Sequence, residues 1–515
     1  MSKLSVIVVS IGVIIFFTLL VNFYLHKNHT TPFQFLFEPN FSIDVSESPL
    51  ISPPFTSHPI VPNQSDQIQS SIAFLHTKSS AFNKHAAPLE SHSWAPLVIQ
   101  SECIPGMPET WAPCVKARSK NKIIYSEELI FPDFIIKEPI FPSQLHRNRI
   151  ITQWGCDFNG GTCDHKLKLR YYRGQTGQNL IFENVSYDGR RPPADSWGAG
   201  HCMASDTSHA PFLKDTSSSS LSLSSSSPLS KVKWSDLDSN DIYSSAVLVT
   251  TPNAWSFQHF LDRVTHLLEQ SDHLVDNKTV LWNVEYTGMA NVEAMYELLG
   301  YSKSRRINVQ RKSGAKNFNA RKLIYSCRCP LVHPYYALRA VERFNVPRFV
   351  PMEDRKKVVF LSRAGKSRSL VNEVEVLKGI RELLKRRKLD EELVMFDELK
   401  NKKFADLVQW MGSNVRAVIG AHGGAFFNHR WCGRDTLVVE LMPTNRIFRG
   451  IYEEAAVLSQ RYAMFGYESN HAHSITAEVD ELVSFLDTQL GLVNNPKDNV
   501  LQHIPYPWKD KSLNH

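Results

Sequence analysis

Paired CxxC units are missing from this chain of 515 residues. The usual structural zinc frame is therefore absent, and no metal site is expected. No Gly-x-Ser-x-Gly nucleophile elbow occurs either, which sets aside a hydrolase on an α/β fold. Gly365-Lys-Ser367 looks like the end of a phosphate-binding P-loop. That motif needs glycine at position 360, where Phe360 stands. A large excess of one charge sign is lacking as well. The 58 Lys and Arg against 51 Asp and Glu leave +7, mild for this length, with one dense run at Lys385–Lys388. Nucleic acid is not indicated as a partner, whereas a positive channel for an anionic ligand is compatible with this balance. Hydrophobic residues at 42% suffice for an ordinary core, and the length allows about two to three domains.

Long apolar runs are scarce, and the one at the N-terminus is decisive. Leu4–Val21 is apolar apart from small or hydroxyl residues, and Phe23, Tyr24 and Leu25 extend it. At about 1.5 Å per residue such a helix crosses a bilayer core of roughly 30 Å. It is longer than the apolar part of a signal peptide and has no good cleavage site. We read residues 1–25 as a tip and an uncleaved anchor. Flanking charge sets its orientation poorly, with Lys3 before it and His26 and Lys27 after it. Glycosylation sequons at Asn28, Asn40, Asn63, Asn184 and Asn277 are compatible with a lumenal body. So is the even count of eight cysteines, which predicts some disulfides without giving their pairing. Cys327 and Cys329 are too close for an easy mutual bond, so each has a different partner or none.

Residues 26–95 are rich in Pro, Ser, His and Asn and show little periodicity, as in a flexible stem. Cys156–Cys202 reads as loop-rich, and Thr216–Ser230 as a disordered Ser-rich insertion. Asp236-Leu-Asp238 has the form of a metal–nucleotide ligand pair, but it follows no buried strand and reads better as a solvated turn. From residue 240 strand and helix patterns alternate. The periodicity predicts strands at Ala246–Thr251, Thr279–Glu285, Arg321–Ser326, Val358–Ser362, Leu393–Phe396, Val415–Ile419 and Thr436–Leu441. It predicts helices at Phe257–Gln270, Val292–Leu299, Glu373–Lys388, Phe404–Met411 and Ala477–Leu490. Strands separated by helices imply parallel sheets. The expectation is α/β: two Rossmann-like domains facing a cleft, residues 96–345 and 346–515, preceded by a transmembrane helix and a disordered stem.

Four segments carry chemistry. In Val415–Asn428 a buried strand runs into Gly420-Ala-His422-Gly423-Gly424. Glycines there either let the backbone approach a phosphate or merely permit a tight turn. Strand Val358–Ser362 ends in Arg363, with Arg368 close behind; guanidinium groups can clamp a diphosphate, or line a solvated turn. Glu440 ends the strand before Met442-Pro443, where it could accept two ribose hydroxyls or be a capping or salt-bridged Glu. Finally, His259, Asp262, Arg263 and His266 fall at i, i+3, i+4 and i+7 of one helix. They share the face opposite Phe257, Phe260, Leu261, Val264, Leu267 and Leu268. A base for an acceptor hydroxyl could stand there, unless the face is only solvated.

These pieces in this order resemble glycosyltransferase family 61, a group that includes plant β-1,2-xylosyltransferase, an EGF-domain O-GlcNAc transferase and an O-mannose β-1,4-GlcNAc transferase. The resemblance spans roughly residues 240–480 and rests on His259-Phe-Leu-Asp262, Leu361-Ser-Arg363 and Gly420–Asn428. The family pattern is close to Gly-x-His-Gly-Ala-Gly-Leu-x-Asn; here its middle reads Gly423-Gly424-Ala425-Phe426-Phe427. The Gln that usually opens the preceding helix has no clean match near Gln409. The resemblance implies a GT-B-like fold, inversion at the anomeric carbon, no required metal or cofactor, and a single-pass type II protein of the Golgi or endoplasmic reticulum. It implies a UDP-sugar donor, xylose or N-acetylglucosamine, and a glycan or glycoprotein acceptor. Arg363, Arg368, His422, Gly423, Gly424 and Glu440 are then the donor-side residues, and Asp262 or His259 the base. An inactive glycan-binding scaffold of the same fold is the alternative.

Overall fold

The computed structural model describes residues 97–104, 110–121, 124–154, 169–188, 229–231, 242–249, 256–283, 288–308, 317–495, 501–504 and 506. All lie in one unit, residues 92–515. The anchor, the stem and Asp236–Asp238 lie outside the described residues. Among the described residues no helix is long and apolar enough to cross a membrane.

The N-terminal half begins with an antiparallel pair, β1 (Cys114–Asn121) and β2 (Ile124–Ile130). A disulfide joins Cys103 to Cys114. Next come β3 (Phe134–Lys137), α1 (Gln144–Trp154), β4 (Leu169–Tyr172), β5 (Thr176–Asp188), β6 (Leu229–Lys231) and β7 (Ile242–Val249). Two expectations change here. Much of the segment read as loop-rich is strand, because Leu180, Phe182 and Val185 bury themselves between β2 and β10. The end of the Ser-rich segment, Leu229–Lys231, pairs with Val185–Tyr187 as β6. A continuous helix α2 follows, made of Phe257–His259, a π-helical turn Phe260–Val264 and Thr265–Ser271. The half closes with β8 (Val280–Asn283), α3 (Ala290–Leu298), β9 (Arg306–Asn308), β10 (Asn317–Cys327) and α4 (Pro334–Arg343). Its mixed sheet has the order β1-β2-β5-β10-β7-β8-β9, with β6 on β5. Strands β10, β7, β8 and β9 are mutually parallel. Cys327 is disulfide-bonded, while Cys329 is a buried thiol.

The C-terminal half is a cleaner case. It runs β11 (Lys357–Leu361), α5 (Glu373–Arg387), β12 (Glu392–Met395), α6 (Phe404–Asn414) and β13 (Val415–Ala421). A 3-10 helix, Gly424–Trp431, leads to β14 (Leu437–Pro443), α7 (Gly450–Val457), β15 (Arg461–Tyr467), α8 (Val479–Gln489) and β16 (Leu501–His503). Strands β11 to β15 form one parallel sheet in the order β12-β11-β13-β14-β15. Every residue of β13, β14 and β15 is buried, as expected where helices cover both faces. Alternate side chains of β11 go to opposite faces. Val358 and Phe360 join Val376, Ile380, Leu482 and Leu486 of α5 and α8. Val359 and Leu361 join a core that also holds Phe260, Leu261, Tyr296 and Tyr336. One core therefore runs from this sheet into the N-terminal half, and it fixes α2 against the glycine segment.

The division along the chain is not strictly linear. Ile140 bridges Ala463 beside β15, and His146 of α1 bonds Gly466 O at 2.9 Å. In return, β16 pairs with β3.

Candidate active site

The strand order 2-1-3-4-5 reverses between β11 and β13. In open α/β sheets ligands bind beyond the carboxyl ends of the strands at that reversal. Arg363 follows β11 there, and His422-Gly423-Gly424 follows β13. The loop after β11 bends through positive φ at Gly365 (72°) and Arg368 (61°). It is tied to the segment after β15 by Arg368 N donating to Ala472 O at 3.0 Å. The Arg363 guanidinium donates to Ser367 O through Nε and Nη2 at 3.0 and 2.9 Å.

Gly423 explains where Arg363 lies. Its backbone is extended and unstrained, but a Cβ there would stand 2.1 Å from Arg363 Nη1. The guanidinium therefore rests on the glycine. At Gly424 a Cβ would meet Gln258 Oε1, from the first turn of α2, at 3.4 Å. The structure thus brings the glycine turn and the start of α2 together.

Arg446, in the loop after β14, was not singled out by the sequence. No spacing rule links it to Arg363; only the sheet does. Burial and the field of Arg446 lower the Arg363 pKa. Burial, Arg363 and Arg446 hold Arg368 down to about 10, while Glu440 pulls the other way. The Arg368 side chain has no hydrogen-bond or ion-pair partner among the described residues. Partly buried cations that face one another in this way are chemically suited to a polyanion.

Glu440 is fully buried, and both carboxylate oxygens are engaged. His422 Nδ1 donates to Oε1 at 2.6 Å, and the Tyr462 hydroxyl donates to Oε2. A ribose contact by Glu440 would have to reach a carboxylate that is fully buried and already bonded through both oxygens. As it stands, Glu440 fixes the His422 ring, which lies beside Phe448 with centroids 5.7 Å apart.

On α2, Ser256 Oγ caps the first turn by accepting from His259 N. His259 Nδ1 lies 3.5 Å from Asp262 Oδ1, and both side chains are mostly buried. Burial opposes ionisation of Asp262, but His259, Arg263 and Arg430 together lower its pKa. His266 is corrected. It does not share a solvated face with these residues but stacks on Tyr336 at 4.4 Å, bonds Pro330 O, and is pushed by burial down to about 3. The expected polar face is itself covered: Thr265–Ser271 are all buried, with Glu269 bonded to Arg339 and Arg343. A period of 3.6 finds the apolar stripe and cannot tell that α4 covers the other side.

Residues 257–439 match a family model described as Glycosyltransferase 61. The match supports glycosyltransferase family 61. The match opens on Phe257, the first residue of α2, and ends at Val439, next to Glu440. It takes in His259, Asp262, Arg363, Arg368, His422, Gly423 and Gly424, and family 61 membership supports a glycosyltransferase function. None of the curated proteins compared with the chain matches it. Among the described residues no group of three or more His, Cys, Asp or Glu side chains is placed to hold a metal ion.

Proposed function

We propose that the protein is an inverting, GT-B-type glycosyltransferase that moves xylose or N-acetylglucosamine from a UDP-sugar to a glycan or glycoprotein. The observation that carries this reading is the arginine group at the sheet reversal: Arg363 rests on Gly423, Arg446 lowers the pKa of Arg363, and both lower that of Arg368. These cations fit a diphosphate, and family 61 membership supplies the sugar. In this reading the acceptor oxygen attacks the anomeric carbon. The bond from that carbon to the diphosphate oxygen breaks, and the electron pair leaves with UDP. The acceptor proton passes to Asp262 or His259. The developing charge on UDP is met by Arg363, Arg368 and main-chain N–H groups of the glycine turn, and no metal is required. The anchor and stem read from residues 1–95 make it a type II protein of the Golgi or endoplasmic reticulum lumen.

The test is a binding screen on the full-length protein in detergent. UDP, UDP-xylose, UDP-GlcNAc and GDP-sugars are compared by thermal shift, with and without EDTA, beside Arg363→Ala. A ligand that binds only the native state raises the melting temperature. Stabilisation by one UDP-sugar, retained in EDTA and lost in the variant, is expected. No shift with any nucleotide from a folded sample replaces this reading with the glycan-binding scaffold. A shift that vanishes in EDTA refutes metal independence alone.

A further inference from the structure

The π-helical turn of α2 needs an explanation, because it stands at the residues read as the base. In an α-helix Thr265 N would donate to Leu261 O, four residues back. Here it donates to Phe260 O, five back. The buried Leu261 carbonyl thereby loses its α-helical donor, and side chains reach it instead. Two groups do so. Thr265 Oγ1 donates to it at 2.6 Å, and Arg430 Nη1 donates at 2.8 Å. Arg430 is 2% exposed and comes from the 3-10 helix that begins at Gly424. Its other arm pairs with buried Glu454 of α7 at 2.7 Å.

We propose that Arg430 is a positioning residue that latches the π turn, and through it sets where Asp262 and His259 point relative to the glycine turn. The proposal rests on the reading of Asp262 or His259 as the base. If the turn relaxed to α, one residue would be absorbed. The segment bearing His259 and Asp262 would then rotate by about 100° relative to the buried remainder of α2. The latch is built from the segment that continues out of the glycine turn, so the placement of the base and the shape of the diphosphate site share one element. π turns inside α-helices recur at functional sites, and here the cause of the turn is visible. Arg430 acts electrically as well. The groups facing Asp262 are His259, Arg263 and His266 on its own helix, Arg430 from the 3-10 helix and Glu454 of α7. Glu454 in turn faces Arg430, Asp262, Glu453 and Arg263.

The experiment uses the full-length protein and follows UDP release from UDP-xylose or UDP-GlcNAc, whichever binds, as a function of pH. UDP affinity is measured in parallel by calorimetry. Arg430→Met is expected to lose about 100-fold in rate, the scale of a misplaced general base. UDP affinity should stay within about twofold. The acid limb of its pH profile should move to higher pH, because a cation that favours the ionised base has gone. Arg430→Lys should restore the limb but only part of the rate. Thr265→Val keeps every charge and the side-chain shape. It should lower the rate without moving the limb, and it decides the matter if Arg430→Met does not fold. Wild-type rate and limb in both Arg430→Met and Thr265→Val, with Asp262→Asn inactive, overturn the latch and leave the base reading standing. Wild-type rate in both Asp262→Asn and His259→Gln overturns the base reading, and the positioning role falls with it.

Discussion

The two sides of the candidate site are built on different physics. The side proposed to hold the diphosphate is a main-chain device: a parallel sheet ends, glycines let the chain turn, and arginines gather at the strand reversal. Its parts are local, and each sits at the end of an apolar run. The base side is a buried charge network. Asp262 lies on a helix whose register is broken, beside Arg263 and Arg430, with Glu454 behind. There the proposed base depends on contacts between residues 262, 430 and 454, which no spacing connects. One side can be read along the chain, whereas the other exists only once the halves have packed together.

If the comparison is right, damage on the two sides should separate cleanly. The largest effect belongs to Asp262→Asn, which keeps shape and removes the proton acceptor. The rate should fall by about 10²–10⁴-fold, while UDP affinity measured by calorimetry stays unchanged. Loss of UDP affinity in this variant would mean that the two sides are one site energetically. A full rate would hand the base role to His259 or to neither.

A smaller effect is expected from Gly423→Ala. The backbone tolerates alanine there, since its φ is extended. The new methyl would meet the Arg363 guanidinium, a flexible group that can move aside. The cost should therefore appear in UDP binding rather than in folding. A charge-assisted hydrogen bond is worth about 1.5–3 kcal/mol, so the dissociation constant should rise by roughly 10- to 100-fold while the melting temperature without ligand is kept. Unchanged affinity would show that Arg363 reaches the phosphate from its displaced position.

The legibility of the sequence follows the same division. The strands predicted at Val358–Ser362, Val415–Ile419 and Thr436–Leu441 are β11, β13 and β14 to within about two residues, because a buried parallel strand is a continuous apolar run. Strand β15, Arg461–Tyr467, was missed. Its polar ends and inner glycine break the run, although burial in the sheet is complete. Helix α4 was also missed, and with it the lid that turns His266 from a surface residue into a core one. Among the candidate residues, the placement of Arg363 and the glycines just past strand ends is legible in the sequence. The engagement of Glu440 by His422 and Tyr462 was not, since Tyr462 belongs to the missed strand.

The smallest effect tests whether the buried network carries charge in the way its packing implies. Burial pushes the Glu454 carboxyl up to about 7 even though Arg430 pulls the other way. A carboxyl raised above its unfolded value of 4.5 binds more protons in the native state than in the unfolded chain. Its contribution to stability is whole below pH 4.5 and is lost as pH rises towards 7. Asp262 works in the opposite sense: its lowered pKa gives a contribution to stability that is whole above pH 3.8 and is lost as pH falls below that value. Between pH 4.5 and about 7 Glu454 is therefore the member of the pair that titrates. Glu454→Gln cannot lose a proton, so the melting temperature of the native protein should fall relative to the variant by a few degrees across that interval. A parallel pair of curves would mean that Arg430 keeps Glu454 ionised throughout. The ion pair would then outweigh burial, and Arg430 would be held by a full charge on one arm while the other arm holds the π turn.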